Sequence, residues 1–189
     1  MSDLRVMMDN HILPECFLDT NLMETLLPTK IGYNHQKCCT SVTKAMQSKK
    51  LIDDFAVGIL DKDKKAPPYL NEFELVTVKY NVELYRHKLH PKKHHYLILH
   101  PVLEKWLLAE CLQVNLSLED YNLSNNIEEL KKQSKPATSK DDYRFKSLFR
   151  ALKENNAQGI TLLFAWTDYL IKNPYKADKT ILINIGNAS

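Results

Sequence analysis
Apolar positions in this chain fall into short continuous runs separated by segments of helical period. Residues 11–17 (His-Ile-Leu-Pro-Glu-Cys-Phe) predict a first strand, with Pro14 marking an edge position or the strand's end. Asp19, Thr20 or Asn21 can cap a short helix with Leu22, Met23, Leu26 and Leu27 on its apolar face, stopped by Pro28. After a turn over 32–34, Val42, Ala45 and Met46 predict a second helix over about 35–49. Residues 55–60 are apolar throughout, as in a strand buried on both faces of a parallel sheet. Pro67-Pro68 breaks the chain, and strand character returns at 73–79 and 96–99. His100-Pro101 then introduces a helix from about 102 to 112, carrying Leu103, Trp106, Leu107 and Leu108.

The remainder has a different texture. Residues 115–140 are polar and read as a loop-rich connection or a short helix. Two further helices are predicted at about 141–155 and 158–172, the second a core helix through Ile160, Leu162, Leu163, Phe164, Trp166, Leu170 and Ile171. Ile181-Leu182-Ile183-Asn184-Ile185 reads as a terminal strand or a frayed tail. The pattern predicts an α/β architecture. Residues 1–114 form a parallel sheet flanked by helices, and 115–189 a helical extension packed on the same domain.

Composition adds limits more than content. With 189 residues, 44% hydrophobic and 26% charged, the chain suits one well-cored globular domain. No stretch approaches the roughly 20 apolar residues of a membrane span. The start, Met1-Ser2-Asp3-Leu4-Arg5, lacks the pattern of a secretory signal, so the expected location is cytoplasmic. Four cysteines in such a chain do not make a disulfide framework and are read as small buried or half-buried residues. Cys38 and Cys39 with nearby His35 have no second ligand pair at zinc-finger spacing.

The net charge of +3 is too weak to point to nucleic acid, but its distribution is uneven. Arg86, His87, Lys88, His90, Lys92, Lys93, His94 and His95 sit within ten residues, either as a solvated hairpin or as a patch that meets phosphates. The chain has four glycines and neither G-x-G-x-x-G nor a P-loop, which argues against a backbone cradle for nucleotide phosphates. G-x-S-x-G is also lacking.

The acids carry more. Val57-Gly58-Ile59-Leu60-Asp61-Lys62-Asp63-Lys64-Lys65 is an apolar run ended by two carboxylates one residue apart. Glu15 closes the first strand, and Asp19 follows four residues later. Ligands of open α/β sheets lie at the carboxyl ends of strands. Carboxylates gathered there raise one another's pKa unless a cation neutralises them, and oxygen donors suit magnesium. The plain alternative is a strand followed by a charged, solvated turn.

Glu15-Cys16-Phe17-Leu18-Asp19 after a strand resembles the E-G-x-x-D signature of the Toprim fold, and Asp61-Lys62-Asp63 resembles its D-x-D motif. His100-Pro101-Val102-Leu103-Glu104-Lys105-Trp106 is similar to the segment that supplies an extra acid in Toprim domains of the OLD nuclease type. The likeness spans about residues 11–110 and departs from the family at Cys16, where the signature has glycine, and at Pro14. It implies a metal-dependent nuclease that cuts or nicks nucleic acid, with DNA the expected substrate, magnesium or manganese as cofactor, and a possible ATPase partner in defence against foreign DNA. Glu15, Asp61 and Asp63 would be catalytic, with Asp19 and Glu104 completing the metal site. Lys62 and Lys64 would meet the scissile phosphate, and Arg86, Lys88, Lys92 and Lys93 would hold the backbone.

Two other readings stay open. Phe17-Leu18-Asp19-Thr20-Asn21 resembles the opening of PIN domains, which implies a ribonuclease recruiting Glu24, Asp61 and Asp63. A non-catalytic Toprim-like subunit of an ATPase complex would use its C-terminal helices as an interface. An exposed patch of Phe164, Trp166 and Leu170 would mark that surface.

Overall fold
The computed structural model describes residues 10–62, 66–89 and 93–188. Asp63, Lys64 and Lys92 therefore lie outside the described residues. Strand β1 (Ile12–Pro14) leads into helix α1 (Phe17–Leu26), followed by α2 (Cys39–Met46) and β2 (Ala56–Asp61). A 3-10 turn at Pro68–Glu72 precedes β3 (Phe73–Lys79), β4 (Val82–His87) and β5 (His94–Leu99). Helices α3 (Leu103–Gln113), α4 (Ile127–Ser134), α5 (Tyr143–Glu154), α6 (Gln158–Lys172) and α7 (Lys179–Ala188) complete the described chain.

The sheet order is β1-β2-β5-β4-β3. β1, β2 and β5 are parallel neighbours, while β4 runs antiparallel to both β5 and β3. The architecture is thus α/β, but the sheet is mixed where the sequence reading had it parallel throughout. The difference comes from β4. Tyr80 and Asn81 both take positive φ (49 and 57), the geometry of a two-residue type I′ turn, and this folds β4 straight back on β3. Arg86 and His87 belong to that strand, and His94 and His95 open β5, so the histidine- and lysine-rich stretch is not one loop.

Period-2 alternation sends the sheet's side chains into two apolar layers. Val57, Ile59, Leu97 and Leu99 face the layer built with α1, α3, α5, α6 and α7. Ala56, Leu60, Tyr96 and Ile98 face Val42 and Met46 of α2, Leu51 and Tyr69. Gly58 lies between Tyr96 and Val42, so closely that a Cβ there would meet the Tyr96 ring at 2.5 Å.

Several boundaries differ from the sequence reading for identifiable reasons. β1 stops at Pro14 because Cys16, not Asp19, Thr20 or Asn21, caps α1. The Asp19 N–H donates to Cys16 Sγ, and the Cys16 N–H donates to the Asp19 carboxylate at 3.1 Å. The helix expected over 35–49 shortens to α2, because residues 34–36 run beside β1 instead. Asn34 N–H donates to Ile12 O (3.1 Å) and Gln36 N–H to Pro14 O (2.9 Å). The polar connection over 115–140 contains α4, the short-helix alternative. The run at 181–185 is neither strand nor frayed tail but the body of α7, whose N-terminus is capped by Asp178. Cys38 is exposed, unlike the other three cysteines.

Trp166 and Leu170 are fully buried, and Lys153 covers the half-buried Phe164 ring with its ammonium 3.7 Å from the centroid. They form core, not a patch. No helix among the described residues is long and apolar enough to cross a membrane.

Candidate acidic site at the carboxyl ends of the parallel strands
Because β1, β2 and β5 are adjacent and parallel, whatever follows their last residues is delivered to one edge of the sheet. Glu15 follows β1, Asp61 ends β2, and Glu104 opens α3 just after β5. Asp19 enters from the first turn of α1.

The backbone fixes these acids tightly. Glu15 N–H continues the parallel ladder to Ile59 O at 3.0 Å, and the Glu15 carboxylate accepts the Asp61 N–H at 3.1 Å. Val102 leads α3 without a side-chain cap, and Asp61 Oδ1 supplies the acceptor by taking the Leu103 N–H at 2.8 Å. Glu104 accepts a hydrogen bond from the Ser134 hydroxyl at the end of α4. Asp19 is fully buried, with Oδ2 in the capping box and Oδ1 without a hydrogen-bond partner among the described residues.

Electrostatics follow from this crowding. Burial is the first cause that pushes Asp61 up to about 9, and the charges of Asp19, Glu15 and Glu104 add to it. Burial also raises Asp19, to about 7, against the opposing pull of its hydrogen bond with Cys16, while Glu15 and Glu104 push it further up. Burial likewise holds the Cys16 thiol far above its usual range, so it is not a nucleophile.

Two adjoining hollows open onto the acids. One of 400 Å³ is lined by Glu15, Asp61, Val102, Glu104, Lys131 and Lys135. The other, of 490 Å³, shares Asp61, Glu104 and Lys135 and is closed by Phe17, His35 and Lys37. His35 stacks on Phe17 with centroids 4.3 Å apart. Thr20 Oγ1 donates its one proton to Cys16 O at 2.8 Å, so it accepts at 2.9 Å from His35 Nδ1–H. That assignment leaves Nε2 as the ring's lone pair, and burial lowers the His35 pKa.

Among the described residues, no three His, Cys, Asp or Glu side chains converge so as to hold a metal ion by themselves. The donor set still suits magnesium, which keeps several waters and takes only one or two carboxylates directly. The buried, unpartnered Asp19 Oδ1 amid neighbouring carboxylates is the feature a hard cation would satisfy.

Of the residues named from sequence, Glu15, Asp19, Asp61 and Glu104 are brought together. Lys62 turns toward a separate hollow, where its ammonium pairs with buried Glu83. Arg86 lies opposite His95 at the amino end of β5, across the sheet from the acids, and pairs with Glu74. Lys88 donates to Asn71 O, and Lys93 pairs with Asp53 at 3.7 Å. Glu24 pairs with Lys140 and accepts the Tyr33 N–H, without joining the acids. Sequence reasoning missed Lys37, Lys131, Lys135 and the Phe17–His35 pair as neighbours of the acids. No local pattern marks them, because helix α4 and the segment beside β1 reach the site only through the tertiary fold.

The fold and this edge define an α/β protein with an acidic, lysine-rimmed cleft at its parallel strand ends. No family model, curated protein or solved structure matches the chain.

Proposed function
We propose that the protein is a metal-dependent nuclease that hydrolyses or nicks phosphodiester bonds, with DNA as the favoured substrate and the cytoplasm as its location. The observation that carries the reading is the gathering of Glu15, Asp61 and Glu104 at three adjacent parallel strand ends, lining a cleft rimmed by lysines, with buried Asp19 close enough to act on their charge. One or two of Glu15, Asp61 and Glu104 would hold magnesium or manganese directly and the remaining acids, buried Asp19 among them, through its waters, while Asp63 lies two residues beyond Asp61 in sequence. Such an ion, when bound, activates water and offsets charge on the phosphoryl group. The chain's own contribution is positional. The Asp61 N–H orients the Glu15 carboxylate, Leu103 N–H orients Asp61, and Lys131 and Lys135 draw a phosphate toward the acids.

A second reading has its own support. Asp61 caps α3, Asp19 closes the capping box of α1 by accepting the Cys16 N–H, and Glu15 accepts a backbone N–H, so these three acids already serve the fold. A non-catalytic Toprim-like subunit of an ATPase complex would need nothing more of them.

Cleavage of supercoiled plasmid and of a single-stranded DNA circle, with magnesium, manganese or chelator, separates the two. Metal-dependent cutting that falls at least 100-fold in Asp61→Asn, with the fold retained, supports the nuclease. Cutting that persists in the variant excludes this site, and a wild type that never cuts favours the subunit.

A further inference from the structure
The hollow formed by Phe17, His35, Lys37 and Lys135 has features that the acids do not require. Its 490 Å³ falls within the range of about 300–1,000 Å³ typical of small-molecule sites. One wall is aromatic, with half-buried Phe17 stacked against His35, whose ring Thr20 holds in place. Lys37 and Lys135 are exposed on its rim, and among the described residues neither has an ion-pair partner, although Asp61 and Glu104 line the same hollow. Cations left unpaired beside carboxylates are placed to meet an anion that enters between them. The combination of a flat π surface, flanking cations and carboxylate oxygens matches a nucleotide's base, its phosphate and the divalent cation that would accompany it respectively.

We infer that this hollow seats one unstacked nucleotide of a single-stranded nucleic acid, its base against the Phe17–His35 pair and its phosphates between Lys37 and Lys135. The inference rests on the phosphodiester chemistry proposed above and adds the substrate's form. A base inside a duplex is stacked on both faces and cannot lie against this wall without leaving the helix.

Fluorescence anisotropy of a 3′-labelled deoxythymidine 12-mer, and of a duplex of the same length, measures this in calcium, which takes the same oxygen ligands as magnesium. The single strand should bind at least ten-fold more tightly than the duplex. Phe17→Leu, which keeps apolar bulk in the first turn of α1, should weaken strand binding about 5- to 100-fold, the range for loss of one base–aromatic stack. Replacing Lys37 and Lys135 together by Gln should reduce the slope of log K against log salt by about 1.4. Equal affinity for strand and duplex, wild-type binding by Phe17→Leu, or no binding of either probe would overturn the inference. The two proposals fail separately. A protein that prefers duplex yet cuts through Asp61 loses this inference and keeps the nuclease, and one that binds the strand through Phe17 but never cuts does the reverse.

Discussion

At the residue scale, the clearest constraint is Gly58. It interrupts an otherwise bulky apolar strand because Tyr96 and Val42 occupy the space of its missing side chain. Tyr96 cannot yield easily, being fully buried with its hydroxyl 3.2 Å from Thr43 Oγ1. Gly58→Ala should therefore destabilise the fold by about 1–3 kcal/mol, as overpacking does, read as a lower denaturant midpoint at unchanged slope. Glu15 and Asp61 were legible as acids that end apolar runs. The lysines of the cleft were not, because nothing local separates Lys37 and Lys135 from any solvated lysine. The family likeness at Glu15 and Asp19 also met a local surprise, since the cysteine in the glycine's place is the helix cap.

Elements show how caps decide what propensity leaves open. The β-branched run at 181–185 favours a strand on composition. It becomes α7 because Asp178 Oδ1 accepts the N–H groups of Thr180 (2.8 Å) and Ile181 (3.1 Å), and because Leu182 and Gly186 pack against Trp166 and its surroundings. Asp178→Ala should cost about 1 kcal/mol, measurable as reduced thermal stability with loss of helical circular dichroism at the terminus first. Helix α6 lacks a cap of its own and borrows one from α3. Buried Glu110 accepts from Gly159 N–H at 2.8 Å and Ile160 N–H at 3.3 Å. Burial raises the Glu110 pKa above 4.5, with those two N–H bonds pulling the other way. From 4.5 up to that raised value, the native protein keeps a proton that the unfolded chain has released. Unfolding free energy from this group therefore falls as pH rises through the window and is level above it. Urea titrations at a series of pH values should show wild type losing stability relative to Glu110→Gln as pH climbs from about 4, with no further divergence once the folded-state value is passed. Gly159→Ala should also destabilise the fold, since its Cβ would lie 2.5 Å from Glu110 Oε1 and 2.8 Å from the Trp106 ring.

For the whole molecule, a single apolar cluster joins Ile12, Leu22 and Val57 to Trp106, Phe145, Leu163 and Leu182. A fragment ending at residue 114 would expose the faces of α1 and α3 that α5 and α6 cover. It should lack a cooperative thermal transition, while the full chain melts as one unit. The same assembly should couple the cleft to stability, with magnesium or manganese raising the melting temperature of wild type as the logarithm of concentration above the dissociation constant and not that of Asp19→Asn/Asp61→Asn. Sequence by itself determined the α/β class, the buried strand at 55–60, the core helix at 158–172 and the acids at strand ends. These are local facts, set by periodicity and by where apolar runs stop. Only the tertiary structure decided that β4 turns the sheet mixed, that 34–36 flanks β1, and that Lys37, Lys135 and the Phe17–His35 pair border the acids. Those relations join segments more than a hundred residues apart, as Phe17 and Lys135 are, and they depend on which surfaces bury one another, which no window along the chain contains.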